Sequence, residues 1–349
     1  MSEPQALVEQ HGQKIVDLSH KDLFAVPPEL YEEVQLHSLN LSFNHLQEIF
    51  PPLQNWTQLV NLSLDNNALY ELPSEICSLK SLHVLSVQYN RLTEIPQAIG
   101  DLSNLIELHL KGNALTFLPP SLGNLQHLQV LNVSENSLHV LPNELGKLNS
   151  LQHLFLKFNK LHALPFGLGG LSKLRTLYLQ NNSLSALPSD ACSGWSQLER
   201  LFLDNNTSIK LPEEICYLQS LKILHARNCN LDSLPSTFGS LSSLIVLQVE
   251  SNRFVKLPSS ISDLPRLEIL EIQHNQSLND IVAVCSLKNL KRLHVHGCPI
   301  EQLPQAISNL EALKVLNISD TPLVRQESDI QTVKQKLHAY FPNLKQLHV

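Results

Sequence analysis

The sequence predicts an α/β solenoid, with a parallel β-sheet on its concave face and short helices or 3₁₀ turns on its convex face. A leucine returns every 23 residues from Leu36 to Leu174 and, after one inserted residue, from Leu198 to Leu313. Each unit reads L-x-x-L-x-L-x-x-N-x-L-x-x-L-P-x-x-L-x-x-L. The alternating first half predicts a strand, and the later L-x-x-L spacing suits a helical or 3₁₀ turn. This pattern is a leucine-rich repeat.

Stacking follows from the same pattern, because neither half of a unit can bury its apolar face alone. Joining the strands of neighbouring units gives one parallel sheet, and the bulkier outer layer curves the stack into a horseshoe. The register is broken only by a single inserted residue near Trp195. We therefore predict one elongated solenoid over residues 13–326, with an N-terminal capping segment at 1–12 and a C-terminal capping helix and last strand at 327–349.

Two polar or rigid positions of the unit have architectural interpretations. Proline at position 15, as in Pro119, is expected to begin a convex turn, where its fixed φ and missing N–H cost little. Asparagine at position 9 is expected to lie where the strand turns inward and to satisfy backbone groups that water cannot reach. The asparagines at this position are Asn44, Asn67, Asn90, Asn113, Asn136, Asn159, Asn182, Asn206, Asn252 and Asn275.

An open solenoid needs a cover over its core at each end. The polar segment Ser2 to Gln10, whose composition allows a helix, is expected to cap an imperfect first repeat in which Lys21 takes the asparagine position. Asp329 to Tyr340 has helical spacing of its apolar residues and is expected to cap the other end. The sequence is expected to be complete at both ends, without a fused kinase, GTPase, RING or nucleotide-binding module.

Composition narrows the class of protein. The formal net charge is −7 and no long basic stretch is present, which disfavours nucleic-acid binding. Of six cysteines, four take position 19, which otherwise holds glycine or serine, while Cys229 and Cys298 replace the position-9 asparagine. No paired cysteines mark the ends and Met1 to Gly12 lacks the apolar core of a signal peptide. We expect free thiols, no transmembrane segment and a cytoplasmic location.

The L-P step of the unit carries a family resemblance. Leu72-Pro73-Ser74-Glu75-Ile76 and Leu211-Pro212-Glu213-Glu214-Ile215 resemble the Ras-group intracellular leucine-rich-repeat proteins, which include the Shoc/Sur scaffold and the plant intracellular Ras-group proteins. The resemblance covers roughly residues 13–349, although Asn275 to Leu287 lacks the step. It implies a cytoplasmic scaffold in signalling whose concave face holds a protein partner, such as a small GTPase or a kinase or phosphatase component.

The predicted concave face contains one cluster of binding-type residues. Position 5 of three consecutive units is aromatic, and strands about 4.8 Å apart would make these rings near neighbours. Scattered exposed aromatics carry no meaning, but clustered aromatics with arginine are enriched in binding hot spots. The predicted protein-binding residues are Phe155, Tyr178, Phe202, Phe158, His153, Lys157, Arg200, His225 and Arg227.

Two other groups of side chains admit a chemical interpretation. His294, His296 and Cys298 form an H-x-H-x-C run near His274 and Asp320. Two histidines on one strand face could hold a metal ion, but Cys298 is the inward position-9 residue, so an ordinary solvated basic edge is favoured.

Glu250, Glu268 and Glu271 form a predicted acidic patch between Arg227 and Arg292, which we interpret as a charge-patterned partner surface. No phosphate loop, G-x-S-x-G or cysteine–histidine pair is evident, so no catalytic residue and no cofactor is predicted.

The function that the sequence favours is a non-enzymatic scaffold or adaptor that binds a protein on its concave face. The alternative is a substrate-recognition or regulatory subunit of a separate ligase, kinase or phosphatase complex. An intrinsic enzyme or metal protein is a third and less favoured interpretation, since every expected motif is missing.

Overall fold

A computed structural model describes residues 7–10, 13–49, 52–325 and 330–349 of the protein. The chain divides into two compact units, Met1–Leu174 and Arg175–Val349. Each unit is a stack of repeats with one short strand and one convex turn per repeat. The predicted leucine-rich-repeat solenoid, with parallel strands on one side and mainly 3₁₀ turns on the other, is confirmed.

The strands of the first unit pair in chain order, and all pairs after the first are parallel. Pairing keeps position 5 in line, from Asp17 beside Asn40 to Asn132 beside Phe155. The strands are β1 (Leu7–Gln10), β2 (Gln13–Asp17), β3 (Leu36–Asn40), β4 (Asn61–Ser63), β5 (Val84–Ser86), β6 (Glu107–His109), β7 (Val130–Asn132) and β8 (His153–Phe155).

The second unit continues the same arrangement, with every pair parallel and position 5 in line from Tyr178 to His348. Its strands are β9 (Thr176–Tyr178), β10 (Arg200–Phe202), β11 (Ile223–His225), β12 (Val246–Gln248), β13 (Ile269–Glu271), β14 (Arg292–His294), β15 (Val315–Asn317) and β16 (Gln346–His348). Its α-helices are α1 (Ser189–Gly194), α2 (Pro322–Arg325) and α3 (Ile330–Tyr340).

The convex turns begin where the prolines predict. Pro73 precedes one turn with φ −64°, and its carbonyl accepts the first turn bond from the Ile76 N–H at 3.1 Å. The 3₁₀ turns are Pro28–Glu32, Leu53–Asn55, Ser74–Ser78, Ile99–Asp101, Pro120–Asn124, Asn143–Lys147 and Phe166–Gly170 in the first unit, and Glu213–Tyr217, Phe238–Ser240, Ser259–Asp263, Val282–Ser286 and Gln305–Asn309 in the second.

The inserted residue near Trp195 is absorbed by one change of turn type. Here the convex element is the α-helix α1, and the Trp195 N–H donates to the Ala191 carbonyl four residues back at 3.0 Å. An α turn holds one more residue than a 3₁₀ turn, so the strand that follows returns to register. Trp195 is fully buried, as are the repeating leucines such as Leu198 and Leu201.

The position-9 asparagines form the predicted hydrogen-bonded ladder. Asn113 is representative: its Oδ1 accepts the Leu92 N–H at 3.0 Å, and its Nδ2 donates to the carbonyls of Val87 and Leu110 at 2.9 and 3.0 Å. Each such amide therefore joins its own strand end to the preceding repeat and completes bonds that would otherwise be lost in a dry interior.

From Asn44 onward, the residue before each ladder position adopts a left-handed backbone conformation, a feature that the leucine spacing does not indicate. Its φ lies between 51° and 60° at non-glycine residues, and glycine takes the place twice. Residues with bulky side chains rarely adopt this conformation because it costs conformational free energy. The hydrogen bonds of the adjoining ladder asparagine must therefore stabilise the turn. The residues are Phe43, Asn66, Tyr89, Gly112, Glu135, Phe158, Asn181, Asn205, Asn228, Ser251, His274, Gly297 and Asp320.

The N-terminal segment differs from the expectation of a helix. Leu7–Gln10 is a β-strand that pairs antiparallel with Gln13–Asp17. A strand here supplies partners for backbone groups that the first strand of the stack would otherwise leave open, which a helix could not do. Residues 1–6, 11 and 12 of the predicted cap lie outside the described residues.

At the C-terminal end the predicted helix is present as α3. Val333, Leu337 and Phe341 are buried at the spacing that the sequence indicated. Asp329, the predicted first residue, lies outside the described residues. We propose that α3 and β16 act as the cap of the second unit, because β16 pairs with β15 and the helix buries its apolar side.

Candidate functional site

The exposed face of the sheet in the second unit is built by positions 3 and 5 of each strand, together with position 7 just beyond it. On β10, Leu201 and the following Leu203 are fully buried, whereas Arg200 is exposed and Phe202 is half-buried. The buried leucines fix the register of every strand, since a slip by one residue would turn them to solvent. Side chains at one position therefore form a row across the strands.

A row of rings crosses three strands of this face. Tyr178 and Phe202 are stacked with centroids 4.5 Å apart and 5° between their planes, and His225 meets Phe202 edge-on at 4.8 Å. Tyr178, Phe202 and His225 are hereafter the aromatic row. Stacked and edge-on pairs contribute about 0.5–1.5 kcal/mol each beyond their buried area. Burial lowers the pKa of His225, so the row presents an uncharged, apolar surface near neutral pH.

Arg227 is held beside this row by two carboxylates. Its Nη2 donates to Asp204 at 3.0 Å and its Nε lies 3.4 Å from Glu250. The hydrogen bond to Asp204 raises the pKa of Arg227. We had expected a rim cation available to a partner, but much of its donor capacity is used within the sheet, although 43% of the side chain stays exposed. Arg200 is the more exposed of the two arginines.

The remaining predicted binding residues lie on the last strand of the first unit and in its turn. His153 and Phe155 are half-buried on β8. Lys157 places its Nζ 5.8 Å from the ring centroid of Phe158. Phe158 is 48% exposed and has φ 55°, so the left-handed turn holds this ring out on the surface. The predicted binding residues therefore form two sets, one on each unit.

The three glutamates of the predicted acidic patch occupy three different positions of the repeat, with Glu268 at position 2, Glu271 at position 5 and Glu250 at position 7. Glu271 Oε2 accepts a hydrogen bond from Gln248 Nε2 at 2.8 Å, and burial raises the pKa of Glu250 to about 7. Glu268 lies at position 2 and pairs instead with Lys291 at 2.7 Å. The predicted patch is therefore centred on Glu250 and Glu271.

The H-x-H-x-C run has the geometry of a packed histidine group. His296 meets His274 edge-on at 4.7 Å and lies 6.1 Å from His294. Burial lowers the pKa of both His294 and His296. Cys298 points inward, with its Sγ 3.3 Å from the Ile272 carbonyl. Over residues 7–10, 13–49, 52–325 and 330–349, no group of three or more histidine, cysteine, aspartate or glutamate side chains is placed to hold a metal ion.

All six cysteines are free thiols. Burial raises the pKa of Cys192 to about 12 and that of Cys229 and Cys298 to about 11. A thiol reacts as a nucleophile through its thiolate, so these buried groups are poor nucleophiles near neutral pH.

Comparison with known proteins establishes the family. A family model described as a leucine-rich repeat region matches residues 39–136 and 195–297, more than half of the chain, and a leucine rich repeat model matches 127–148, 173–195 and 289–310. The chain belongs to the leucine-rich repeat proteins, whose fold typically serves protein–protein interaction. Among curated proteins no match is found.

Solved structures agree with this assignment. A leucine-rich repeat protein of Leptospira interrogans is 31% identical with a TM-score of 0.84, over 96% of this chain and 83% of that protein. The plant peptide hormone receptor RGFR1, solved in complex with RGF2, is 26% identical with a TM-score of 0.69, over 85% of this chain and 53% of the receptor. The TDR receptor is 28% identical with a TM-score of 0.72, over 88% and 55%.

The chain spans about half the length of these two receptors. Within the part of the chain that the structure describes, no helix has the length and apolar character needed to cross a membrane.

Proposed function

We propose that this chain is a non-enzymatic scaffold or adaptor that binds a protein partner on the exposed face of its sheet. The observation that carries the proposal is the aromatic row, a stacked apolar surface bordered by Arg200 and Arg227. Aromatic residues and arginine are enriched in binding hot spots, because aromatic rings bury a large area at low entropic cost and arginine adds directed, charge-assisted hydrogen bonds. A rigid sheet also presents them without reorganisation.

The first unit supplies a second set of contacts in this proposal, formed by His153, Phe155, Lys157 and Phe158. Phe158 is held outward by its turn, and a partner that covers it would gain apolar contact without unfolding the repeat. The two sets are testable one at a time, because each lies on its own unit.

A signalling role in the cytoplasm is part of the proposal. It is supported by the L-P steps that resemble the Ras-group proteins and by six free thiols, which suit a reducing compartment. By the same resemblance the partner is a small GTPase or a kinase or phosphatase component. The complex of RGFR1 with RGF2 supports a peptide segment of the partner as the feature bound.

The test is capture of partners by the full chain, followed by affinity measurement with Phe202→Ala and Tyr178→Ala variants. Each truncation is expected to weaken binding by roughly 1–3 kcal/mol, because these rings form the proposed contact surface. The fold should stay intact, because the rings lie outside the core. The control is Ser63→Ala, at the same position in the first unit, which should leave affinity unchanged. Equal binding by the parent and by a variant lacking both rings would place the site elsewhere and overturn the proposal.

A further inference from the structure

Next to the aromatic row, the second unit buries acceptor groups that have no donor. Glu250 and Gln273 occupy position 7 of successive repeats, just beyond β12 and β13. Glu250 Oε2 and Gln273 Oε1 are both buried and neither has a hydrogen-bond partner. Gln273 is 8% exposed and the Glu250 side chain is 12% exposed. Buried polar atoms in native proteins are nearly always bonded, so two neighbouring exceptions call for an explanation.

The charged neighbours do not satisfy these acceptors. Arg227 reaches only Glu250 Oε1, at 3.4 Å, and it is already bonded to Asp204. Glu271, on the adjacent strand, uses Oε2 for Gln248, and its Oε1 is approached only loosely, by His294 Nδ1 at 3.9 Å and Arg292 Nη1 at 4.0 Å. Negative charge and acceptor capacity therefore exceed the donors that this part of the sheet supplies.

A group that matches this surplus must donate hydrogen bonds and carry positive charge. A guanidinium offers five N–H donors and an ammonium three, and neither accepts. A bare metal ion fits less well, because the Arg227 cation already lies against Glu250 and would repel it. Charge complementarity thus favours a basic side chain over a metal ion.

We propose that Glu250, Glu271 and Gln273, here called the acceptor cluster, bind a lysine or arginine side chain of the protein partner. This inference rests on the proposed function, because the basic residue belongs to the segment that covers the aromatic row. Phe202 on β10 and Glu250 beyond β12 are two strands apart across the sheet and two residues apart along it, a separation of about 12 Å. An extended segment advances about 3.3 Å per residue. The partner therefore carries its basic residue three or four positions from the residue that contacts Phe202.

The probe for a test is a phage-displayed library of random peptides about twelve residues long, selected on the full chain. Selected peptides that lose binding to Phe202→Ala are synthesised with each arginine replaced by citrulline and each lysine by norleucine. Affinities are then measured for the parent, for Glu250→Gln and for Gln273→Leu. Glu268→Gln is the matched control, since it removes the same charge from the same unit but at the Lys291 pair.

The expected result is that one basic residue is essential and that Glu250→Gln weakens its peptide by about 30-fold, as for other buried charged pairs. For a peptide without that basic group, Glu250→Gln should change the affinity very little. Glu268→Gln should bind every peptide with nearly the affinity of the parent. Gln273→Leu should weaken binding about tenfold. Glu250→Gln keeps the shape of the side chain, and thermal melting verifies that both variants are folded.

Two other results would overturn the inference. Peptides that need Phe202 but bind Glu250→Gln as tightly as the parent, or lose equal affinity with and without their basic group, would leave the proposed function intact and remove the acceptor cluster from it. A library that yields no peptide sensitive to Phe202→Ala would count against the proposed function itself.

Discussion

The two units differ in the ladder that ties their repeats together. In the first unit, asparagine fills every ladder position from Asn44 to Asn159. In the second unit, Cys229, Cys298 and Thr321 interrupt the series. Cys229 keeps one part of the amide's role, since its thiol contacts the Leu203 carbonyl at 3.4 Å, but it has no oxygen to accept a bond.

The two cysteine interruptions follow a change in the preceding repeat. A regular ladder Oδ1 accepts the N–H two residues beyond the previous ladder residue, as Asn113 does from Leu92. In the repeats of Asn206 and Asn275 the buried apolar residue comes one place later, at Ile209 and Leu278. Each of these donates its N–H to the carbonyl of its own ladder asparagine at 3.1 Å. The next ladder residue therefore has no N–H group to accept a hydrogen bond from. A cysteine, which has no acceptor oxygen in its side chain, can occupy that position.

The largest loss of unfolding free energy is expected from replacing a ladder asparagine whose side-chain amide makes all three ladder hydrogen bonds. Asn113→Ala should leave one buried N–H and two carbonyls without a partner, and we expect a loss of roughly 3–5 kcal/mol of unfolding free energy. Urea unfolding followed by circular dichroism measures it. The matched substitution in the second unit, Cys298→Ala, removes one weak thiol bond and should cost only about 1–2 kcal/mol. Equal losses would refute the difference between the two ladders.

A smaller effect on stability is expected from the titration of Glu250 with pH. Burial raises its pKa from 4.5 to about 7 in the folded protein. The folded state then holds this proton more tightly than the unfolded state, so the stabilisation is complete below pH 4.5 and is lost as pH rises through about 7. Glu250→Gln should remove this loss and stabilise the protein at alkaline pH, by about 1–2 kcal/mol once solvent screening of this partly exposed carboxyl is allowed for.

Urea midpoints of the parent and of Glu250→Gln across this pH range provide the measurement. The two proteins should converge at low pH, where Glu250 is protonated, and separate as the pH rises. Glu268→Gln serves as the control because Glu268 is more exposed and paired with Lys291. A constant difference between the parent and Glu250→Gln at every pH would show that Glu250 does not titrate in this range.

Sequence alone was sufficient for the framework because leucine burial fixes the register. The predicted neighbourhood of Tyr178 and Phe202 at position 5 agrees with the strand pairing, which also aligns His225 with them, since the leucines on either side of each can face only inward. The ladder role of the asparagines follows in the same way, from their place at the end of a strand whose direction is known.

Interactions between side chains on neighbouring strands could not be obtained in this way. The periodic pattern places Arg227 and Glu250 on the same face but does not determine that Arg227 turns to Asp204, which leaves Glu250 Oε2 without a donor. Side-chain rotamers and competing partners decide that outcome. The Leu7–Gln10 strand was missed for a related reason, because its structure depends on an open strand edge in another segment.

The smallest change in unfolding free energy is expected from restoring an asparagine at the ladder position of Cys229 in the second unit. Cys229→Asn would regain a donor for the Leu203 carbonyl, but its Oδ1 would meet no ladder N–H, because Ile209 donates to Asn206 instead. Gain and loss nearly offset, and we expect a net change of no more than about 1 kcal/mol in urea unfolding. The opposite exchange, Asn136→Cys, should cost about 2–3 kcal/mol because the Leu115 N–H loses its acceptor. Suppose that Cys229→Asn instead stabilised the protein by as much as a complete ladder hydrogen bond. The later placement of Ile209 would then not be the reason that a cysteine is tolerated at position 229.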